Sequence, residues 1–257
     1  MEVRETMSGH PQNIPGGHGK DNSDVTDIRE KGASKNGERQ ILDRRLFMQL
    51  LVFGDVKDSE NMIKELERDN ITGALYNDIN DPHGVGLLTI SEDPQFFVTK
   101  LRGFLNKEIF SSIRLKSEYT MTGRNYALGH EENLKDWLLD RPKRVTTDPE
   151  WPWAVWYPLR RKGAFSLLSQ KEQMQILREH GMIGHEFGKA NFARDIRLSC
   201  TGIDKNDNDF VIGLLGKKLY PLSALVQAMR KTKQTSTFIE KMGPFFIGYA
   251  IWQNSAS

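Results

Sequence analysis

The chain has 257 residues, 38% hydrophobic and 9% aromatic, with 36 Lys and Arg against 34 Asp and Glu. That content supports a substantial core, in one large domain or two small ones, and excludes a wholly disordered chain. A net charge of +2 gives no electrostatic ground for a nucleic-acid partner, and a single cysteine, Cys200, excludes an internal disulfide framework or a cysteine-rich metal site. No apolar run approaches the ~18 residues that suggest a transmembrane segment, and the N-terminus lacks an apolar signal segment, so a soluble, cytoplasmic protein is expected.

Residues 1–40 hold Pro11, Pro15, Gly16, Gly17, Gly19, Gly32 and Gly37 with widely spaced aliphatics, and read as a disordered tail. His10 and His18 fall in it and read as solvated. Residues 41–127 form the first expected half. Residues 46–53 read as a strand stopped by Gly54 and Asp55. Ser59 with Met62, Ile63 and Leu66 predicts a short amphipathic helix. Residues 73–76 and 84–90 read as strands around a polar turn. Pro94 starts a helix with Phe96, Phe97, Leu101 and Leu105 on one face, and a last strand lies near Tyr119.

A connector, residues 128–150, carries one short helix around residues 134–139. Residues 151–253 repeat the order: strand 153–157, helix 169–180, strands 194–198 and 210–215, helix 222–230 and strand 245–251, with residues 254–257 as a tail. Both halves read β-α-β-β-α-β, a ferredoxin-like pattern. The expected fold class is therefore α+β, with two ferredoxin-like halves whose antiparallel sheets form a barrel-like dimeric α+β domain.

Four histidines lie outside the tail: His83, His130, His180 and His185. Ser169 and Glu172 form a capping-box pair that places a helix start. Met174, Leu177 and His180 follow at three-residue intervals, so His180 shares a partly apolar face at the expected helix end, before Gly181. A helix C-terminus favours charged imidazole, and an apolar setting favours the neutral form that ligates iron. These residues leave a structural or capping histidine and an iron ligand both open. Asp204, Asp207 and Asp209 lack the glycine and terminal glutamate of a calcium loop and read as a turn. Lys231, Lys233 and Lys241 are too sparse for nucleic acid. Cys200 reads as a small buried residue.

The segment Trp156-Tyr157-Pro158-Leu159-Arg160-Arg161, residues 167–180, and Gly181-Met182-Ile183-Gly184 together resemble the second half of the chlorite dismutase family, which includes the coproheme decarboxylases. The likeness continues through Thr201-Gly202-Ile203-Asp204, Leu225-Val226-Gln227-Ala228-Met229-Arg230 and Gly243-Pro244-Phe245-Phe246-Ile247-Gly248. The first half is similar mainly in element order. The resemblance implies a haem pocket in the second half. His180, in Glu179-His180-Gly181, takes the place of the iron ligand, and His185 that of a peripheral residue. Tyr157 resembles the redox-active tyrosine of the decarboxylases. Arg161 and Arg230 fall where basic residues bind propionates through charged hydrogen bonds. From the residues alone, Tyr157 ends a buried strand and both arginines are surface groups.

On the distal side the sequence departs from the family. Counted from His180, the family's distal arginine position, glutamine in many decarboxylases, is Ala193. Counted back from Gly202 it is Asp195. Arg194, Asp195 and Arg197 are the distal candidates, and strand alternation lets only some of them face inward. Gln234 or Glu240 is the expected partner of the ligand histidine. The implied cofactor is haem, an iron porphyrin that is either coproheme or haem b, with peroxide as a further reactant. The implied activity is peroxide-dependent decarboxylation of coproheme to haem b. The alternatives are chlorite dismutase or haem peroxidase activity, and a non-enzymatic haem carrier or sensor. A ring-like homo-oligomer, often a pentamer in that family, is also implied.

Overall fold

A computed structural model of the protein describes residues 26–255. Residues 1–25, including His10 and His18, lie outside the described residues. In chain order the elements are β1 (Glu30–Lys35), β2 (Glu38–Leu42), β3 (Phe47–Gly54), α1 (Ser59–Arg68), β4 (Gly73–Asp78) and β5 (Val85–Ser91). Then come α2 (Gln95–Val98), α3 (Lys100–Leu105), β6 (Arg114–Leu115), β7 (Met121–Asn125) and α4 (Arg141–Thr146). The second half contains β8 (Trp153–Arg161), α5 (Gln170–Lys189), β9 (Arg194–Ser199), β10 (Phe210–Gly216), α6 (Leu219–Arg230), β11 (Ile239–Met242) and β12 (Phe246–Asn254).

The α+β class holds, but the expected pairing of two sheets into a barrel-like dimeric domain is corrected by the strand pairings. All ten strands from β3 to β12 belong to one sheet, in the order β10-β9-β7-β3-β5-β4-β12-β8-β11 with β6 on β3, and β10 also pairs β8. The halves join edge to edge within this single chain, β7 antiparallel to β9 and β12 antiparallel to β4. The physical reason is that each half's edge strand exposes unpaired backbone groups, and the other half satisfies them.

One face of the sheet packs a shared core from both halves. Met48 and Leu50 of β3, Tyr76 of β4, Trp156 of β8, Leu198 of β9 and Phe246 of β12 meet there. Leu138 and Leu139 of the connector, and Trp151 just before β8, join the same core. Gly213 lets the Trp156 ring lie flat on β10, because a Cβ there would sit 2.4 Å from that ring. On the opposite face, α1 and α3 cover the first half through Met62, Leu66, Leu101 and Phe104. Helix α6, with Leu222 and Leu225, covers the second half, and α5 contributes Ile183 and Phe187.

The expected tail is corrected over residues 30–40. Residues 30–42 form an antiparallel hairpin, β1–β2, whose turn residues Asn36 and Gly37 both take positive φ. It docks on the connector: the Ala33 amide donates to the Glu131 carbonyl at 3.0 Å, and the Gln40 amide donates to the same carbonyl at 3.1 Å. Among the described residues no helix is long and apolar enough to cross a membrane.

Candidate functional site

Strand alternation sorts β8. Ala154 and Trp156 enter the shared core, while Val155, Tyr157 and Leu159 face the helical layer of the second half. Register extends this into rows. Tyr157 pairs with Ile212, which pairs with Arg197; Val155 pairs with Leu214, which pairs with Asp195. Arg161, two residues past Leu159, continues the same face. Tyr157, Asp195, Arg197 and Arg161 thus share one side of three adjacent strands.

Helix α5 differs from its expected extent. It runs from Gln170 to Lys189, so His180 is mid-helix rather than at a C-terminus, and no macrodipole favours its charged form. The capping box at Ser169 and Glu172 is present. Gly181 costs the helix about 1 kcal/mol of propensity without ending it. Ile183 and Phe187 continue the apolar stripe beyond it, and at Gly184 a Cβ would stand 3.3 Å from Met229 of α6.

The His180 ring is partly buried, and its Nδ1 lies 3.2 Å from Thr232 Oγ1, just past the end of α6. Burial, with the charges of Arg197 and Arg161 added, lowers its pKa from 6.5 to about 4. The imidazole is therefore neutral at physiological pH, the form that can ligate a metal. His185, on the same helix, is exposed.

Tyr157 is buried at 5% exposure and stacks on Phe245, with ring centroids 4.5 Å apart. Burial raises its pKa, so the phenol keeps its proton. Arg230 is exposed and lies over the other partner of that stack, 5.9 Å from the Phe245 centroid. The Arg161 guanidinium sits between the Phe165 and Phe210 rings, at 4.3 and 4.9 Å. Its Nε is buried without a hydrogen-bond partner, and burial lowers its pKa.

Of the distal candidates, the structure brings two to this face and sends one away. Arg194 pairs with Asp148 at 2.8 Å and stacks on Trp151. Ala193 is buried in the apolar layer under α5 and α6. Asp195 binds Arg197 Nε at 2.8 Å and Arg141 Nη2 at 3.2 Å. Burial opposes ionisation of Asp195, but the two arginines outweigh it and hold the carboxyl below its usual range. Arg197 and Arg141 both lie over the Trp137 ring, at 5.2 and 4.8 Å. A cavity of about 350 Å³ lined by Leu128, His130, Trp137 and Arg197, among others, opens beside them.

Several of these residues were not singled out from sequence. Thr232, Arg141 and Trp137 join through long-range contacts. Tyr126 joins through its Phe210 contact at 6.0 Å and its electrostatic coupling to Arg197 and Arg161. Gln234 is buried with an unpartnered carbonyl oxygen, and Glu240 is exposed on β11; neither hydrogen-bonds His180. Cys200 is fully buried, donates to the Asn208 carbonyl, and has its thiol pushed up to about 12 by burial. Asp204 organises its turn by accepting from the backbone of Asn206 and Asn208. No cluster of three or more His, Cys, Asp and Glu side chains among the described residues could hold a bare metal ion.

Compared with known proteins, residues 93–251 match the family model described as chlorite dismutase. No curated protein matches the chain. Among solved structures, it is similar to a heme-binding protein from Thermus thermophilus, with a TM-score of 0.62 and 14% identity over 80% of this chain and 91% of that one. It is likewise similar to the chlorite dismutase of Candidatus Nitrospira defluvii in complex with imidazole, with a TM-score of 0.61 and 13% identity over 81% and 92%.

Proposed function

Because the chain belongs to the chlorite dismutase family, we propose that it holds an iron porphyrin between the outer face of β8–β10 and helices α5 and α6, with His180 as the residue that would ligate the iron, and turns over a small oxidant such as peroxide or chlorite. The observation that carries this reading is Arg161. It is a half-buried cation with an orphaned Nε and no salt bridge to a carboxylate among the described residues. Such a group costs free energy until an anion meets it. A porphyrin propionate is an anion of suitable size, and the apolar walls of Ile183, Phe187, Ile212 and Leu214 suit the macrocycle.

An iron porphyrin held there would supply the redox chemistry that turns over the oxidant. His180 offers a neutral nitrogen. Arg161 and Arg230 hold carboxylates. Arg197 offers guanidinium donors to a small oxyanion, and Asp195, Arg141 and Trp137 fix its direction. Titration of the purified protein with haem b and with coproheme, followed by chlorite or peroxide, tests the reading. Oxygen release or peroxide consumption that falls in Arg197→Ala supports it. Absence of porphyrin binding refutes it.

A second reading, oxidative decarboxylation of coproheme to haem b, is favoured by Tyr157. That phenol lies on the same face as Arg161, keeps its proton, and makes no hydrogen bond within the described residues. It can give up a proton together with an electron. Loss of carbon dioxide, seen in the porphyrin mass after peroxide addition, distinguishes this reading from the first.

A further inference from the structure

We infer that Thr232 is a positioning residue that fixes which ring nitrogen of His180 carries the proton, and that it leaves Nε2 as the lone-pair nitrogen. The inference rests on the reading of His180 as an axial ligand for its consequence, but not for its geometry. Thr232 is 2% exposed, so solvent does not compete for its hydroxyl. That hydroxyl has one proton to give. Its shortest contact is the Met229 carbonyl, at 2.8 Å, and a carbonyl only accepts. The competing acceptor, Thr235 Oγ1, is farther away at 3.4 Å.

With its proton given to Met229, Thr232 Oγ1 turns lone pairs toward its remaining neighbours. The Thr235 amide donates to it at 3.4 Å, and His180 Nδ1 lies at 3.2 Å. Nδ1 must then carry the hydrogen, and in a neutral ring Nε2 carries none. The arrangement is braced from both sides. The Lys233 amide donates to Glu179, the residue before His180, at 3.1 Å, and the Ser236 hydroxyl donates to the Thr232 carbonyl at 2.9 Å. The segment after α6 is thereby tied to α5 where the ring sits.

The chemistry of the partner matters as well as its position. A carboxylate accepting from Nδ1–H draws the proton toward itself and makes the imidazole a stronger donor to iron. The threonine hydroxyl is neutral and already committed to Met229, so the ligand keeps neutral-imidazole character. Gln234 and Glu240, the partners expected from sequence, would have implied different electronics.

The test uses the metal-free protein first. Nitrogen-15 NMR of His180, assigned by its loss in His180→Gln, should show a single tautomer protonated at Nδ1 in wild type and in Thr232→Ser. In Thr232→Val the same resonances should shift toward the Nε2-protonated form. With haem b added, Thr232→Glu should lower the iron reduction potential relative to wild type, while Thr232→Ser should leave it near wild type. An Nε2-protonated ring in the wild-type apoprotein overturns the inference, whether or not any variant folds, as does an unchanged tautomer in folded Thr232→Val. Failure to bind haem alongside an Nδ1-protonated ring would instead overturn the axial-ligand reading and leave the tautomer assignment standing.

Discussion

The depressed pKa of His180 makes the stability of the apoprotein depend on pH in a defined direction. In the folded protein the ring stays neutral down to about pH 4, whereas in the unfolded chain it takes up a proton below its ordinary 6.5. Between those values the unfolded state binds more protons, so stability is complete above pH 6.5 and falls as the pH drops toward 4. At about 1.4 kcal/mol per pH unit, the full separation corresponds to about 3 kcal/mol. The ring is partly exposed, and solvent screening brings the expected loss to about 1–2 kcal/mol. Carboxylates titrate in the same range, so the quantity to measure is a difference. Urea unfolding of wild type and His180→Gln at intervals from pH 4 to 7 isolates it. The wild-type stability curve should be steeper than that of the variant by this amount across pH 6.5 to 4, with parallel curves above pH 7. Parallel curves throughout, or a variant steeper than wild type, would refute the reasoning from burial and from the Arg197 and Arg161 charges.

Arg161→Met should weaken iron-porphyrin affinity by about 10-fold or more, the worth of a charged hydrogen bond, while urea unfolding shows no loss of apoprotein stability, because a half-buried cation without a carboxylate partner is removed and methionine keeps contact with the Phe165 and Phe210 rings. Tyr157→Phe should change stability by less than about 1 kcal/mol, since the ring and its Phe245 stack remain; it should bind porphyrin at near wild-type affinity yet form no haem b from coproheme if the second reading is right, which product masses at equal loading decide. Gly213→Ala should destabilise the fold by about 1–3 kcal/mol or more, because its Cβ would stand 2.4 Å from the Trp156 ring; a denaturation midpoint equal to wild type would contradict that packing.

The two β-α-β-β-α-β units were legible because their apolar alternation and helical spacing are local. The capping box at Ser169 marked the start of α5 for the same reason. Its end was misplaced because Gly181 looks like a stop signal, whereas the packing of Ile183, Phe187 and Gly184 against neighbouring elements carries the helix onward. The β1–β2 hairpin was missed although Asn36-Gly37 is a turn signal: the composition around it outweighed the dipeptide, and its hydrogen bonds go to the distant connector. How the halves join was not legible, since β7–β9 and β4–β12 pair residues far apart in the chain. Within the candidate site, His180, Tyr157 and Arg161 stood out through motif-like segments. Thr232 did not, because its relation to His180 spans 52 positions and exists only once α5 and α6 are packed. Arg141 and Trp137 gain their place from contacts with β9, which sequence spacing does not encode.

The proposed site depends on His180 presenting a neutral nitrogen to an iron porphyrin held on this face. Optical and electron paramagnetic resonance spectra of the protein titrated with ferric haem b, in wild type, His180→Ala and His185→Ala, test it most directly. Stoichiometric binding with histidine-ligated iron is expected in wild type and in His185→Ala, with loss of that ligation in a folded His180→Ala, recovered by added imidazole. Histidine ligation that persists unchanged in His180→Ala, or that is lost in His185→Ala instead, would contradict it.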